Sequence, residues 1–193
     1  MKNIIALLVS LAFLSTPTII EASPIEQEKV EQQVQAFMKL RLEICQGQTE
    51  EIQQTAKLLE TSRPEIIFEV NRQETNQLRD LDDTLAGFIE IFGTDGKFYI
   101  AQFSDIEYLY FKPVTSLIEQ VWRRVDISIK NGPSGEVYLP MVYGTSFTDA
   151  EKLGYESDWQ EVVPGVVIGV GQKMWFVNDN AMALTEINRL ACQ

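Results

Sequence analysis

The 193-residue sequence contains no histidine. That absence excludes Ser–His and Cys–His nucleophile pairs, a histidine general base and a histidine-ligated c-type haem. Two cysteines without histidine make a poor zinc site, so no metal is expected. Positive charge is also scarce: 16 Lys and Arg against 28 Asp and Glu leave a net charge of −12. Nucleic acid and anionic membrane surfaces need a basic face, and both are poor partners for this chain. The plain meaning of such acidity is solubility. Neither Gly-x-x-x-x-Gly-Lys nor Gly-x-Gly-x-x-Gly occurs, so no nucleotide cofactor is implied. After the N-terminus no apolar run is long enough for a membrane span. Residues 162–171 come nearest, and they hold a proline and three glycines.

Residues 1–22 read as a signal peptide. Lys2 is a short positive region, Ile4–Leu14 an apolar core, and Ala22 a small residue before the cleavage point. An uncleaved anchor is the alternative. The expected location is periplasmic or secreted. In an oxidising compartment Cys45 and Cys192 suggest one disulfide, which in the chain-entropy model contributes roughly 3–5 kcal/mol. Two unpaired buried thiols are the other reading.

Residues 23–193 read as one domain with enough apolar residues for a core. Ile25–Cys45 has helical spacing of Val30, Val34, Phe37 and Met38, and Gly47 is placed to end it. Thr49 opens a second helix, and Ser62-Arg63-Pro64-Glu65 matches a capping box that predicts a third. Phe88–Phe92 and Lys97–Phe103 flank Gly93-Thr94-Asp95-Gly96, a strong hairpin signal. Pro113 then opens a pattern in which Val114, Leu117, Ile118, Val121, Val125 and Ile129 form one helical stripe ending at Asn131-Gly132-Pro133. Glu136–Tyr143 and Val162–Gly171 read as strands, and Asn180–Leu190 as a C-terminal helix. Asp80, Asp82 and Asp83 are of the right type for a hard cation. They lack the EF-hand's fixed glycine and final glutamate, and are read as a solvated connector.

Helices, hairpin, helix, strands and helix in this order describe an α+β domain. Together with Phe92-Gly-Thr-Asp-Gly-Lys-Phe98, Gly132-Pro-Ser-Gly-Glu-Val-Tyr138 with Tyr143, and Val163-Pro-Gly-Val-Val-Ile-Gly-Val-Gly171, that order resembles the single Cache domains. These are PAS-like extracytoplasmic sensors, and this chain would be a free-standing periplasmic version. The resemblance implies long N-terminal helices packed on a PAS-like antiparallel sheet with one crossing helix. It also implies a sensor role without catalysis, for a small-molecule ligand and no cofactor. Small-ligand sites are concave and mainly apolar with a few placed polar groups. In a PAS-like sheet the expected ligand-binding residues are Tyr99, Phe103, Trp122, Arg124 and Tyr143, with Arg124 gripping a carboxylate of an anionic organic solute. The alternatives are a periplasmic interaction module docking on a membrane sensor protein, and an enzyme on a cystatin-like or nuclear-transport-factor-like cone. The last is weakened by the missing histidine.

Overall fold

Glycine and charge placement set the entry to the fold. The computed structural model describes residues 24–62, 66–75, 78–80, 82, 85, 87–130 and 132–192. The expected signal peptide, residues 1–22, lies outside these residues. Helix α1 (Pro24–Gln46) ends at Gly47, whose φ of +68° is open to glycine at little steric cost. The Gly47 N–H donates to the Ile44 carbonyl (3.2 Å) and the Gln48 N–H to that of Glu43 (3.1 Å), which satisfies two orphan carbonyls of the last turn. Helix α2 (Thr49–Ser62) starts with Glu50 and Glu51 in its first turn, where the helix dipole favours negative charge, and buries Ile52, Thr55 and Leu59.

From residue 66 onward the regular structure among the described residues is almost entirely strand. β1 (Phe68–Val70), β2 (Gln73–Thr75), β3 (Leu78–Asp80), β4 (Phe88–Gly93), β5 (Phe98–Gln102), β6 (Ile106–Phe111), β7 (Trp122–Ile129) and β8 (Ser134–Pro140) precede a one-turn helix, α3 (Asp149–Lys152). β9 (Ser157–Val163), β10 (Val166–Gly171), β11 (Met174–Val177), β12 (Asn180–Ala183) and β13 (Arg189–Cys192) follow it. Eight strands form one sheet in the order β2-β1-β13-β6-β7-β8-β4-β5. Every pairing in it is antiparallel. A β9–β10 hairpin and a three-stranded β12-β11-β3 sheet are the other sheets among the described residues.

The expected architecture of long N-terminal helices on a PAS-like sheet with one crossing helix is therefore replaced by a mainly β molecule. The crossing helix fails first. Residues after Pro113 make only a 3-10 turn, Leu117–Gln120, and then β7, paired with β6 on one side (Leu109 opposite Ile127) and β8 on the other (Val125 opposite Val137). Two readings compete in the same residues. Val125 and Ile129 fit a helical period of about four. Arg123, Val125, Ile127 and Ile129 also fit a period of two, and all four are buried. β-Branched residues with partners on both sides settle it as a strand.

The third helix and the C-terminal helix fail for the same reason. Residues 63–65 lie outside the described set, but Phe68–Val70 is the strand β1. Asn180–Leu190 is β12, a 3-10 turn (Leu184–Glu186) and the start of β13, which slots between β1 and β6. The hairpin does form: Phe92 faces Phe98, the Gly93 N–H donates to the Lys97 carbonyl (2.8 Å), and Gly96 takes φ +79°. The second turn glycine, Gly165 of Pro164-Gly165, has φ +82° and joins β9 to β10.

Apolar burial divides into two clusters. The larger lies against the eight-stranded sheet and includes Leu109, Val125, Met141, Trp175, Ile187 and Leu190. The smaller joins Phe37 and Leu40 of α1 and Leu59 of α2 to Phe88, Tyr143 and Val166. At about 25 cal/mol per Å² of apolar area, each fully buried side chain of this size contributes roughly 1.5–3 kcal/mol. The expected disulfide does not span these clusters. Cys45 is an exposed thiol on the last turn of α1. Cys192 is a free thiol inside the larger cluster, opposite Phe68, and burial pushes it up to about 12.

Candidate functional site

Charged side chains gather where the two clusters meet. Glu90 sits at the centre of β4, a single carboxylate among Phe88, Ile89, Ile91 and Phe92, and it is 5% exposed. Its Oε1 accepts from Arg41 of α1 at 2.6 Å, and its Oε2 lies 3.5 Å from Nζ of Lys173, which leaves β10 for β11. Burial alone would raise the Glu90 pKa, but the two cations hold it below the usual carboxylate value. The Arg41 guanidinium also stacks on Phe37, 4.9 Å from the ring centroid. Burial works to lower its pKa, and Glu90 and Asp82 more than reverse that.

A second set of bonds continues from this ion triad. Lys173 Nζ lies 5.8 Å from the ring centroid of Tyr143. The Tyr143 hydroxyl donates to Oδ1 of Asp80 (2.6 Å) and accepts from the Met174 N–H (3.2 Å). Oδ1 of Asp80 also accepts from the Asp82 N–H (3.1 Å), and Oδ2 accepts from Nε1 of Trp175 (2.9 Å). Burial pushes the Asp80 carboxyl above its usual range in spite of Lys173 and these donors, and pushes the Tyr143 hydroxyl strongly upward. Glycine makes room for the ring: a Cβ on Gly169 would stand 2.5 Å from a Tyr143 ring carbon.

Asp80 and Asp82 form part of the wall of a groove of about 710 Å³. Lys57 of α2 borders it, as do Trp159 and Val166 of the β9–β10 hairpin, and Arg79 and Phe176 are also in its wall. Gln53 of α2 donates across one end to the Pro164 carbonyl at 3.0 Å. Trp159 is 55% exposed, so a large aromatic ring stands at the rim. The acidic connector is thus not simply solvated: Asp82 is buried, Asp80 half-buried, and both belong to a wall that bonds back into the molecule. Asp83 lies outside the described residues. Among the described residues no three His, Cys, Asp or Glu side chains gather as a metal-binding group.

The residues expected to bind ligand are dispersed. Tyr99 donates to Oδ2 of Asp95 at 2.7 Å and ties down the hairpin turn. Phe103 is core, edge-on to Phe68 (5.7 Å) and Trp175 (5.6 Å). Trp122 packs on Phe92 at 5.8 Å, and Arg124 on the same face of β7 is held by Glu119 at 2.7 Å. Tyr143 alone joins the polar network, and Phe103 reaches it through Trp175. None of the five lines the groove. Arg41, Glu90 and Lys173 were missed, although a lone Glu inside an apolar strand is a signal legible without a structure, because a carboxylate buried there needs a compensating partner.

A crystal structure of the protein VPA1032 from Vibrio parahaemolyticus resembles this chain with a TM-score of 0.85 and 30% sequence identity, covering 96% of this chain and 68% of that one. No curated protein matches the chain. Residues 72–191 match the family described as ImpE protein, more than half of the sequence. These likenesses overturn the resemblance to single Cache domains and, with it, the expected periplasmic sensor of a small organic solute. The chain belongs to the ImpE protein family.

Proposed function

We propose that this protein is a non-catalytic docking component that works with a type VI secretion system. The family is the setting, being associated with that system. The observation that carries the docking role is the groove with exposed Trp159 at its rim and Asp80 in its wall, the Asp80 carboxylate being bonded inward to Tyr143 and Trp175. A catalytic site presents a nucleophile, acid or base to the reacting atoms. Here Asp80 accepts from Tyr143, Trp175 and a backbone N–H, and Glu90 is shared by two cations. Exposed Trp beside a groove is the kind of residue that anchors protein interfaces.

The test is genetic and structural together. Deleting the gene should lower type VI-dependent secretion, and the wild-type gene should restore it. Trp159→Ala should fail to restore it while keeping the wild-type unfolding midpoint. Normal secretion in the deletion strain would contradict the setting, and full restoration by Trp159→Ala would contradict the groove.

Location is proposed from the leader-like pattern of residues 1–22. A mature chain beginning near Ser23 in the extracytoplasmic fraction is the expected result, read by intact mass. A full-length chain confined to the cytoplasm contradicts it.

A further inference from the structure

A second cavity, about 490 Å³, shares no lining residue with the groove at Trp159. Its wall includes Arg123 together with Gln120, Gln172, Thr185 and Asn188, which are polar and uncharged. Arg123 is 3% exposed. Its Nε donates to the Lys112 carbonyl at 2.9 Å, one terminal nitrogen donates to the Leu184 carbonyl, and its guanidinium lies 5.1 Å from the Phe111 ring centroid. These partners are neutral. Among the described residues no carboxylate pairs with it: neighbouring Glu119 is taken by Arg124 and Thr115, and Asp126 by Lys112. A guanidinium has five N–H donors, and two are used by these carbonyls. Burial of a charge without a counter-ion is costly, and here burial alone pushes the Arg123 pKa down.

Exposed apolar residues follow or precede this polar wall along the chain. Val114 is in the wall, and Leu117 and Ile118, 77% and 70% exposed, stand on the adjoining 3-10 turn. Ser116 and Glu119 form a capping box on that turn, which fixes the backbone that carries the two side chains. Tyr155, 71% exposed, follows Gly154 of the wall. Exposed apolar residues grouped beside a cavity mark interaction surfaces.

We propose that this cavity docks an acidic, apolar segment of a partner protein, its Glu or Asp carboxylate on Arg123 and its apolar side chains on Leu117, Ile118 and Tyr155. The partner is a polypeptide rather than a free anion. A chain of net charge −12 repels small anions at long range, so the apolar contacts must supply much of the attraction. A forked guanidinium then selects carboxylate over amide. The proposal stands apart from the secretion setting and from Trp159.

The full-length protein titrated with acetyl-Leu-Leu-Glu-Leu-Leu-amide and with its Gln counterpart tests this by calorimetry and by the NMR signals of Leu117, Ile118 and the Arg123 Nε–H. The Glu peptide should bind at least about tenfold more tightly than the Gln peptide, a difference of roughly 1.4 kcal/mol. Arg123→Gln should abolish that preference, and Leu117→Ser with Ile118→Ser should weaken both peptides. Trp159→Ala should change neither. If Arg123→Gln does not fold, the doubly substituted rim variant, altered only at exposed positions, still decides whether these residues carry binding. Equal affinity for the two peptides overturns the proposal. So does an absence of binding at millimolar peptide, an unchanged rim variant, or acetate shifting the Arg123 signal at the same concentration as the peptide.

Discussion

Arg41 and Arg123 make nearly the same apolar contact and have opposite electrical surroundings. Each guanidinium lies over a phenylalanine ring, at 4.9 Å for Arg41 on Phe37 and 5.1 Å for Arg123 on Phe111. Arg41 meets Glu90 at 2.6 Å, whereas Arg123 meets only backbone carbonyls and the wall of a cavity. The pKa directions follow: Arg41 is raised by its carboxylates against the effect of burial, and Arg123 is lowered by burial. A buried arginine with a counter-charge joins parts of the fold. Arg123, bonded only to carbonyls, keeps further N–H donors for the carboxylate proposed to dock on it. The difference lies in the company and not in the residue type.

The largest effect expected from disturbing that contrast is at Glu90. Glu90→Gln leaves Arg41 and Lys173 buried without their shared counter-charge, and removing one partner of a buried pair costs about 3–5 kcal/mol. Urea unfolding measures it; a loss below about 1 kcal/mol would mean that water compensates the pair. Next is Gly169→Ala, whose Cβ would press on the Tyr143 ring at 2.5 Å. Overpacking of this kind costs about 1–3 kcal/mol, and a smaller loss would show that the ring can shift without breaking its bond to Asp80.

A smaller effect, read in pH, concerns the turn that carries Leu117 and Ile118. Glu119 is lowered from its ordinary 4.5 to about 2 by bonds from the Thr115 backbone and hydroxyl and then from Arg124. A carboxyl depressed on folding stabilises the turn fully above 4.5, and that contribution is lost as pH falls toward about 2. NMR shifts of Leu117 and Ile118 should therefore stay constant down to near pH 4 and then move together with the Glu119 carboxyl. Movement complete before Glu119 protonates would separate the rim from this anchor. The smallest effect is at Trp159, where Ala should change stability by no more than about 0.5 kcal/mol because the ring is exposed.

Local signals were the legible part of this fold. Asp95-Gly96 specified its hairpin because the turn chemistry is contained in four residues, and Gly47 marked the end of a helix for the same reason. β7 and β13 were not legible. Val125 and Ile129 fit a helical as well as a strand period, and the decision rests on partners in other strands: Tyr138 opposite Arg124, and, for β13, distant Phe68 opposite Cys192. Misreading β7 also hid the site. On a helix Arg124 falls at one edge of the apolar stripe; on the strand Arg123 turns inward with Val125 and Ile127, and Arg124 turns away to Glu119. Asp80 was noticed for its charge, but its bonds come from Tyr143 and Trp175, 63 and 95 residues along the chain.

Side-by-side urea unfolding of Arg41→Met and Arg123→Met tests the central contrast most directly. Methionine keeps much of the apolar stem in both, so the comparison isolates the charge and its bonds. The account predicts a loss of about 3 kcal/mol or more for Arg41→Met, which leaves Glu90 short of a partner. For Arg123→Met it predicts a change within about 1 kcal/mol, the two lost carbonyl bonds being offset by relief of an unpaired buried charge. Equal losses in the two variants, or a larger loss at Arg123, would contradict it.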